Sequence, residues 1–446
     1  MPSPTLLDVS RWQFAITVAF HMTFPAITVG LSVFLAVVYG LYMRTGNTTY
    51  LQMFRFWKRI FAVGFGLGVV AGTVLTFEFG LNWGEFAART GPILGPIIGM
   101  EVVTAFFVEA GFIGVMLYGE GRVAPRVMLL SCCMVALGTL LSTTWILMAN
   151  SWMQTPAGYR EENGRFVPVD WTQIMFNPSF GWRFPHMLLA VLISAAILVA
   201  AVGAYHLRRG SHEEFARRTL SIGLGIVALL LPIQMYVGDG VGDMVGKYQL
   251  SKLTAMEGNW DSTNTGWNAF VIPDQNAQRN RAQLTVPEMG SWIGKDLSGH
   301  TPVPGQDLIP RDQQPNSWPT FWGFRIMYYT AQLLLAAALA GVVLRLRGKL
   351  YTAPRFHRFV TWLAPAGIIA IIGGWVLAET GRQPYVVYGK LLTAEGVSEL
   401  ASGAVVASLA VFAALYGAML ALWIGYVVRC VRRGPDAVAP AIAQEV

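Results

Sequence analysis

The stretch RFPHMLLAVLISAAILVAAVGAYHL at residues 183–207 holds one formal charge, Arg183, in 25 positions. A helix rises about 1.5 Å per residue, so this stretch covers about 37 Å and exceeds the ~30 Å hydrocarbon core of a membrane. Leu, Ala and Val fill it without the polar alternation that is typical of an outer-membrane β-barrel strand. It therefore predicts a transmembrane helix.

Eight further windows of the same kind lie on either side of this stretch. They are residues 13–42, 54–81, 93–119, 126–148, 216–238, 321–345, 361–380 and 403–429. Hydrophobic residues make up 54% of the chain and charged residues 13%, compared with ~25% charged residues in a soluble domain. These features exclude a water-soluble protein and predict an all-α polytopic membrane protein with nine transmembrane helices.

The basic residues indicate how these helices are oriented. With the N-terminus outside, the connections after helices 1, 3, 5 and 7 and the C-terminal tail face the cytoplasm, and they hold 18 of the 32 Lys and Arg residues. Cytoplasmic segments of membrane proteins are enriched in these residues. We therefore predict an outer N-terminus and a cytoplasmic C-terminus. The net charge of +7 then reflects topology, not a nucleic-acid partner.

The chain divides into three parts along its length. Residues 1–238 carry predicted helices 1–6, and residues 321–446 carry helices 7–9 and a cytoplasmic tail. Residues 239–320 form the one long outer loop, which contains four tryptophans. Connections of this length are usually functional or disordered. Because aromatic residues are scarce in disordered segments, we predict a partly ordered outer loop that lies on the membrane.

Ionisable residues inside the predicted helices are the strongest functional signal, because each is costly in lipid. The set comprises His21, Glu78, Glu101, Glu109, His186 and Glu379, together with Met327 as a soft ligand. Helical rise counted from the outer helix ends places His21, Glu101, His186, Met327 and Glu379 in the outer half of the membrane. Side chains of five helices therefore reach one layer, which is how a helical bundle builds a cofactor site.

Other roles remain open for single members of this set. A lone intramembrane His is often satisfied by a carbonyl, and Met327 is one of 18 methionines, a residue type that fills packing gaps well. Glu101 and Glu109 lie about 80° apart around an ideal helix and predict a ladder of carboxylates for protons. His and Met are haem ligands, and a carboxylate is compatible with a high-spin iron. His206 and His357, at the inner helix ends, are expected to snorkel among arginines.

At these residues the sequence resembles subunit I of the cytochrome bd-type quinol:oxygen oxidases, over nearly the whole chain. The matching segments are Arg11–His21 (RWQFAITVAFH), Gly99–Glu109 (GMEVVTAFFVE), Asn150–Pro156 (NSWMQTP), Phe184–His186 (FPH), Lys252–Glu257 (KLTAME), Phe324–Met327 (FRIM) and Gly374–Pro384 (GWVLAETGRQP). Two positions depart from the family pattern. The usual EFQFG reads TFEFG at residues 76–80, which moves the Glu to position 78, and Tyr385 follows GRQP where Trp is usual.

The resemblance implies how iron is held. His186 and Met327 match the axial ligands of a low-spin haem b, with Arg325 close to its propionates. His21 and Glu379 match the ligands of two high-spin haems, which are haem b plus haem d or both haem b. The sequence does not assign these two ligands between the two haems.

The remaining matched residues fall into three groups. Trp375 and Arg382 match cofactor contacts. Glu101 and Glu109 match the acids beside the oxygen site. Lys252 and Glu257 match residues tied to quinol oxidation.

The function that the resemblance implies is that of the haem-bearing subunit of a bacterial respiratory quinol oxidase in the cytoplasmic (inner) membrane. Such an enzyme oxidises ubiquinol or menaquinol on the outer side and reduces O2 to water, which builds a proton gradient without pumping. The family also implies a membrane-embedded subunit II and a small single-helix subunit, and the short loop resembles the cyanide-insensitive subtype. The rival class is a proton-coupled secondary transporter, which would favour internal repeats and sites near the bilayer centre.

Overall fold

The computed structural model describes residues 4–437. Within that range, nine helical spans are long and apolar enough to cross a membrane, which confirms the predicted number for the described part of the chain. We number them spans 1 to 9: Thr5–Thr45, Thr48–Leu81, Gly84–Tyr118, Pro125–Gln154, Phe180–Arg209, Glu213–Tyr248, Ser317–Leu346, Pro354–Thr380 and Ser402–Arg433. Residues 438–446 of the predicted cytoplasmic tail lie outside the described residues.

Some spans contain more than one helix, and several short helices lie between spans. The α-helices are α1 (Pro4–Thr23), α2 (Pro25–Thr45), α3 (Thr48–Leu81), α4 (Gly84–Glu101), α5 (Phe107–Tyr118), α6 (Pro125–Gln154), α7 (Trp171–Met175), α8 (Phe180–Arg209), α9 (Glu213–Tyr248), α10 (Leu250–Glu257), α11 (Met289–Ile293), α12 (Ser317–Leu346), α13 (Pro354–Trp362), α14 (Ala366–Thr380) and α15 (Ser402–Arg433). A π-helix, Val102–Phe106, joins α4 to α5. Short 3-10 helices occupy Gln306–Leu308, Arg311–Gln313 and Thr393–Glu395.

Six strands of the described chain pair into three antiparallel hairpins. They are β1 (Tyr159–Glu162) with β2 (Arg165–Pro168), β3 (Trp267–Asp274) with β4 (Arg279–Val286), and β5 (Tyr385–Val387) with β6 (Leu391–Leu392). All three lie in connections between spans. The all-α prediction is therefore wrong for the connections, because the apolar windows on which it rested report only on the membrane segments.

The connection between spans 6 and 7 is shorter than predicted at both ends. Helix α9 continues to Tyr248 and α12 begins at Ser317, so the loop comprises residues 249–316 and not 239–320. The loop contains α10, the β3–β4 hairpin and α11. It therefore has regular structure of its own along much of its length.

Two irregularities shape the membrane helices. Span 1 turns at Phe24, between α1 and α2, because Pro25 has no N–H to continue the bonding of α1. In span 3 the π-helix bonds each residue five positions back, which adds about one residue to a turn. Glu101 and Glu109 then lie about 20° apart around span 3, not the ~80° of an ideal helix.

Spans 5 and 6 approach each other closely at two glycines. A Cβ atom on Gly203 would lie 2.5 Å from the backbone N of Leu220, and one on Gly223 would lie 2.6 Å from the carbonyl O of Ala196. No larger residue fits at either place without separating the helices. The two glycines therefore allow spans 5 and 6 to pack backbone against backbone.

Candidate functional site

One cavity of about 2130 Å3 lies among spans 1–8 and is bordered by residues of the loop 249–316. Ordinary small-molecule sites measure about 300–1000 Å3. Most of the lining side chains are apolar, with a small set of ionisable groups among them. The cavity is therefore large enough for more than one large ligand.

Ten of the residues predicted from the sequence line this cavity. They are His21, Glu101, Glu109, His186, Lys252, Glu257, Met327, Trp375, Glu379 and Arg382. Arg325 and Glu78, the other two, do not line it. The ten side chains come from spans 1, 3, 5, 7 and 8, from α10 and from the residues that follow span 8, so the bundle and its outer loop build the site together.

His21 is held by the glycines of span 2. Its Nδ1 lies 3.1 Å from the carbonyl O of Gly68, and a Cβ atom on Gly72 would lie 3.0 Å from its ring Cε1. When Nδ1 donates to a carbonyl, Nε2 carries the lone pair and becomes the ligand atom. The geometry therefore orients His21 as a metal-ligating histidine is usually oriented.

His186 and Met327 each lie against a glycine on a neighbouring helix. The Nδ1 of His186 is buried and has no hydrogen-bond partner, and Gly238 of span 6 packs against its ring. A Cβ atom on Gly374 would lie 2.7 Å from the sulfur of Met327. Because buried polar atoms are rarely left unpaired, the free nitrogen of His186 indicates a partner that the chain itself does not supply.

Glu379 is the acceptor at the centre of a buried polar cluster. Its carboxylate pairs with Arg382 and accepts hydrogen bonds from Asn150 Nδ2 at 2.9 Å and from Gln154 Nε2 at 3.5 Å. Arg183 donates to the side-chain oxygen of the same Asn150. The cluster thus joins spans 4, 5 and 8 at the cavity wall.

Basic groups outnumber acidic groups in this cluster. Lys252 is buried and donates to Gln154 and, at 2.9 Å, to Gln249 Oε1. Burial and the nearby Arg183 lower the pKa of Lys252 well below its ordinary value. The Nε atoms of Arg183 and Arg382 and the Nη1 of Arg382 have no partner in the structure. These N–H groups are suited to bind anionic groups inside the cavity.

Glu257 and Arg325 form a second buried pair, between α10 and span 7. Arg325 Nη2 lies 2.9 Å from Glu257 Oε2, and its Nε donates to the carbonyl O of Asn268 at 3.1 Å. The rings of Trp267 and Phe321 lie 4.6 Å and 4.5 Å from its guanidinium. Glu257 borders the cavity, whereas Arg325 is fully buried behind it.

The acids of span 3 both line the cavity, and the π-helix lies between them. Ser142 of span 4 donates to Glu101 Oε1 at 2.7 Å. Glu109 is buried, and a Cβ atom on Gly138 would lie 2.5 Å from its Cγ, so span 4 approaches it closely. Since π-helices often mark functional sites, the irregular turn and its flanking acids form one functional feature.

Glu78 lies outside the cavity, between spans 1 and 2. It is buried and accepts a hydrogen bond from Thr17 at 2.7 Å, and its Oε2 has no partner. In the TFEFG segment the Glu is residue 78, whereas the usual EFQFG pattern would have it at residue 76. Residue 76 lines the cavity and Glu78 does not. A direct contact of Glu78 with a ligand in the cavity has no support in the geometry.

The prediction that His206 and His357 snorkel is wrong. Both rings are buried, with His206 Nδ1 at 3.1 Å from Ser211 Oγ and His357 Nε2 at 2.7 Å from the carbonyl O of Leu350. Local polar contacts at the helix ends hold both rings inside the protein, although His206 Nε2 has no hydrogen-bond partner in the structure. Neither lines the cavity.

Sequence reasoning assigned no role to four residues of the polar cluster, although two of them lie in the matched segment Asn150–Pro156. They are Asn150, Gln154, Arg183 and Gln249. Arg183 is three residues before His186 and carries the one charge in its window, which could have identified it. Gln249 is three residues before Lys252, but nothing in the sequence indicates that α10 folds back onto span 4.

The residues of the cavity fit haem. Among the described residues no group of three or more His, Cys, Asp or Glu could hold a metal ion. The four predicted iron ligands lie on four different spans. Single His and Met side chains are what haem iron takes from a protein. The unpaired His186 Nδ1, the glycines facing His21 and Met327, and the unpaired N–H groups of Arg183 and Arg382 match ligands and a negatively charged ring edge.

Comparisons with known proteins agree with this site. The family model described as cytochrome bd terminal oxidase subunit I matches residues 9–435. The chain is 31% identical to cytochrome bd ubiquinol oxidase subunit 1 of Bacillus subtilis (strain 168), over 96% of this chain and 94% of that one. It is also 31% identical to cytochrome bd-II ubiquinol oxidase subunit 1 of Escherichia coli (strain K12), over 97% of each.

A solved structure has the same fold. The bd oxidase from Geobacillus thermodenitrificans superposes with a TM-score of 0.89 at 28% identity, covering 98% of this chain and 100% of that chain. The family match extends through all nine spans and the loop 249–316. This chain therefore belongs to the cytochrome bd terminal oxidase subunit I family.

Proposed function

We propose that this chain is the haem-bearing subunit of an electrogenic quinol:oxygen oxidoreductase that oxidises quinol at its outer side and reduces O2 to water. Membership of the family supports a respiratory quinol oxidase with haem cofactors and a subunit II partner. The observation that carries the finer proposal is the cavity, which collects His21, His186, Met327 and Glu379 from four spans.

In this proposal four residues hold iron. His186 and Met327 would hold a low-spin haem b, and His21 and Glu379 would hold two high-spin haems, haem b plus haem d or both haem b. Trp375 lines the same cavity, and Arg382 offers unpaired N–H groups to a propionate. Bound haem supplies electron transfer and oxygen chemistry, and the chain supplies placement and electrostatics.

We assign Arg325 to the quinol site and not to the low-spin haem. The sequence predicts it close to the propionates of the low-spin haem, and its Nη1 has no partner. Its other contacts are with Glu257 and the Asn268 carbonyl, and it does not line the cavity. We therefore assign it to holding Glu257 and the loop 249–316.

The quinol site in this proposal is the cavity wall formed by Glu257 and Lys252. Glu257 accepts a proton from a quinol hydroxyl, and Arg325 stabilises the carboxylate until then. Lys252 donates a hydrogen bond to Gln249 Oε1 at this wall, and burial lowers its pKa below the ordinary value. The substrate in this proposal is ubiquinol or menaquinol, and the B. subtilis and E. coli relatives are subunits of ubiquinol oxidases.

The acids of span 3 supply protons to oxygen reduction. Glu101 and Glu109 share one face of span 3 because of the π-helix, so a proton can pass between them along one wall of the cavity. With the N-terminus outside, quinol protons leave on the outer side while protons for water come from the cytoplasm. The reaction then separates charge without a pump.

The remaining assignments concern the complex. We propose that the protein lies in the bacterial inner membrane. Its proposed partners are subunit II and a small single-helix subunit. We also propose that it belongs to the short-loop, cyanide-insensitive subtype. A proton-coupled transporter is not favoured, because the curated relatives named here are oxidase subunits.

Quinol-driven oxygen consumption by the purified complex with subunit II tests this proposal. His21→Ala should remove a high-spin haem signal and abolish oxygen consumption, whereas His300→Ala, in the exposed part of the loop, should leave both unchanged. Glu101→Gln should block turnover with the haems retained. If His21→Ala keeps the full haem content and normal oxygen consumption, the oxygen site lies elsewhere.

A second assay separates the quinol site from the haem site. Glu257→Ala should impair quinol oxidation but spare oxygen reduction driven by an artificial donor that reduces the haems directly. Equal loss with both donors would contradict a specific role for Glu257 in quinol oxidation.

A further inference from the structure

The β3–β4 hairpin of the loop presents an unpartnered apolar face. Phe270 and Ile272 on β3 are paired with Leu284 and Ala282 on β4, and Val286 continues the same face. The exposed fractions are 40% for Phe270, 41% for Ile272 and 64% for Leu284. Exposed apolar patches of contiguous residues mark contact surfaces.

This face continues the outward-facing surface of span 7. The ring of Phe270 lies 5.2 Å from that of Trp322, in an edge-to-face arrangement, and Tyr329 donates a hydrogen bond to the carbonyl O of Ala269. Ile326, between those two contacts on α12, is 43% exposed. The hairpin and the exposed side of span 7 therefore form one apolar surface.

The length of helix α12 indicates how deep the hairpin lies relative to the hydrocarbon core of the membrane. Its 30 residues measure about 45 Å, compared with a hydrocarbon core of ~30 Å, so about 15 Å extends beyond the core. Trp322 lies about 8 Å from the outer end of α12. Tryptophan is enriched at the boundary between lipid and water. Phe270, which contacts Trp322, lies at this boundary.

The charged part of the hairpin points the other way. Asp274 pairs with Arg281 at 2.8 Å near the turn, and Gln275 accepts a hydrogen bond from the backbone N of Ser317, at the start of α12. The turn therefore lies outward and the apolar base lies toward the membrane. A strand edge such as β4 is excluded from hydrocarbon but tolerated at the hydrated boundary.

We propose that the face formed by Phe270, Ile272, Ala282, Leu284 and Val286 lies in the outer lipid leaflet, at the boundary between headgroups and acyl chains. The hairpin is then a membrane-embedded part of the loop and holds α10, with Lys252 and Glu257, at the level of the lipid. A substrate dissolved in the bilayer would reach the cavity without crossing water. The lipid contact itself does not depend on the proposed quinol oxidation.

Site-directed spin labelling of the complex in phosphatidylcholine vesicles tests this contact. Cys132, Cys133 and Cys430 are first replaced, and a nitroxide is attached at Leu284→Cys or, as a second site on the same face, at Ala282→Cys. The matched control is Ala277→Cys, in the exposed turn of the same hairpin. Collision rates with O2, which concentrates in lipid, and with a water-soluble nickel chelate are then compared.

We expect the ratio of O2 to chelate collisions to be several-fold higher at positions 282 and 284 than at 277. Equal ratios at all three positions would place the face in water and overturn the proposal. Low collision rates with both reagents at 282 and 284 would mean that another protein surface, such as a second subunit, covers the face, which also overturns it. The quinol-oxidation assay is independent of these outcomes.

Discussion

Two buried Glu–Arg pairs lie near the outer end of the bundle, and they differ in their surroundings. Glu379–Arg382 faces the cavity, together with Arg183 and Lys252. Glu257–Arg325 is closed off on the Arg side by aromatic rings and the Asn268 carbonyl. The first pair leaves several N–H groups unpaired, whereas the second leaves one.

The difference separates a binding role from a structural role. A surplus of buried donors is costly unless an anion satisfies it, so the Glu379 cluster is built for a ligand that carries negative charge. The Glu257 pair balances its own charge and fixes α10 and β3 to span 7. Substitutions at the two arginines should therefore have different consequences for cofactor and for substrate.

The largest effect is expected from Arg382→Leu. This substitution breaks the pair with Glu379 and removes the two unpaired N–H groups of Arg382 that face the cavity. We expect lower haem content and loss of oxygen consumption with every electron donor, measured on the purified complex. Arg89→Leu, at a more exposed pair with Glu395, is the control and should retain both. A full complement of haem in Arg382→Leu would contradict the binding role of the cluster.

A smaller and more selective effect is expected from Arg325→Leu. Glu257 loses its cation and the loop loses its bond to span 7, so quinol oxidation should fall by at least about tenfold, or ~1.4 kcal/mol in the barrier. Haem content and oxygen reduction with an artificial donor should persist. The control is Arg281→Leu, at the exposed pair with Asp274. Loss of haem in Arg325→Leu equal to that in Arg382→Leu would remove the distinction between the two pairs.

Gly374→Ala tests the proposed role of the Met327 sulfur. The new methyl group would lie 2.7 Å from the Met327 sulfur and must displace it. We expect a lower midpoint potential or a high-spin signal from the low-spin haem, because thioether ligation raises the potential. Gly403→Ala, where a Cβ atom meets nothing within 4 Å, is the control. An unchanged spectrum and potential would argue against Met327 as a ligand.

The smallest effect is expected at a third carboxylate, Asp296, which has hydrogen bonds in place of a cation. Bonds from Ser298 and Thr301 lower the pKa of Asp296 below its ordinary value. A lowered pKa stabilises the folded loop above the ordinary value of about 3.9, and this stabilisation is lost as the pH falls through the lower folded value. Hydrogen exchange in the segment 289–301 should therefore increase at acidic pH in the natural protein. Asp296→Asn should remove this dependence, and an identical pH profile in the variant would contradict it.

Much of the membrane fold could be predicted from the sequence because its physical basis is local. Each apolar window of about 20 residues is long enough to cross the hydrocarbon core, whatever its neighbours do. The same windows contain no information on the connections, which explains the missed hairpins. The break at Pro25 and the π-helix depend on backbone bonding that hydropathy does not report.

Part of the candidate site could also be predicted from the sequence. Ionisable residues in apolar windows identified His21, His186 and Glu379, since such residues are costly in lipid. Gln154 and Gln249 carry no such signal, because neutral amides are ordinary near helix ends. Their role depends on α10 folding back onto span 4, which is a tertiary contact.

The absorption spectrum of the purified complex in the oxidised and dithionite-reduced states tests the central claim most directly, because every proposed role depends on bound haem. We predict an intense Soret band with low-spin and high-spin components, and loss of the low-spin component in His186→Ala. A preparation with subunit II that shows no Soret band, or a His186→Ala variant with the spectrum of the natural protein, would contradict the account.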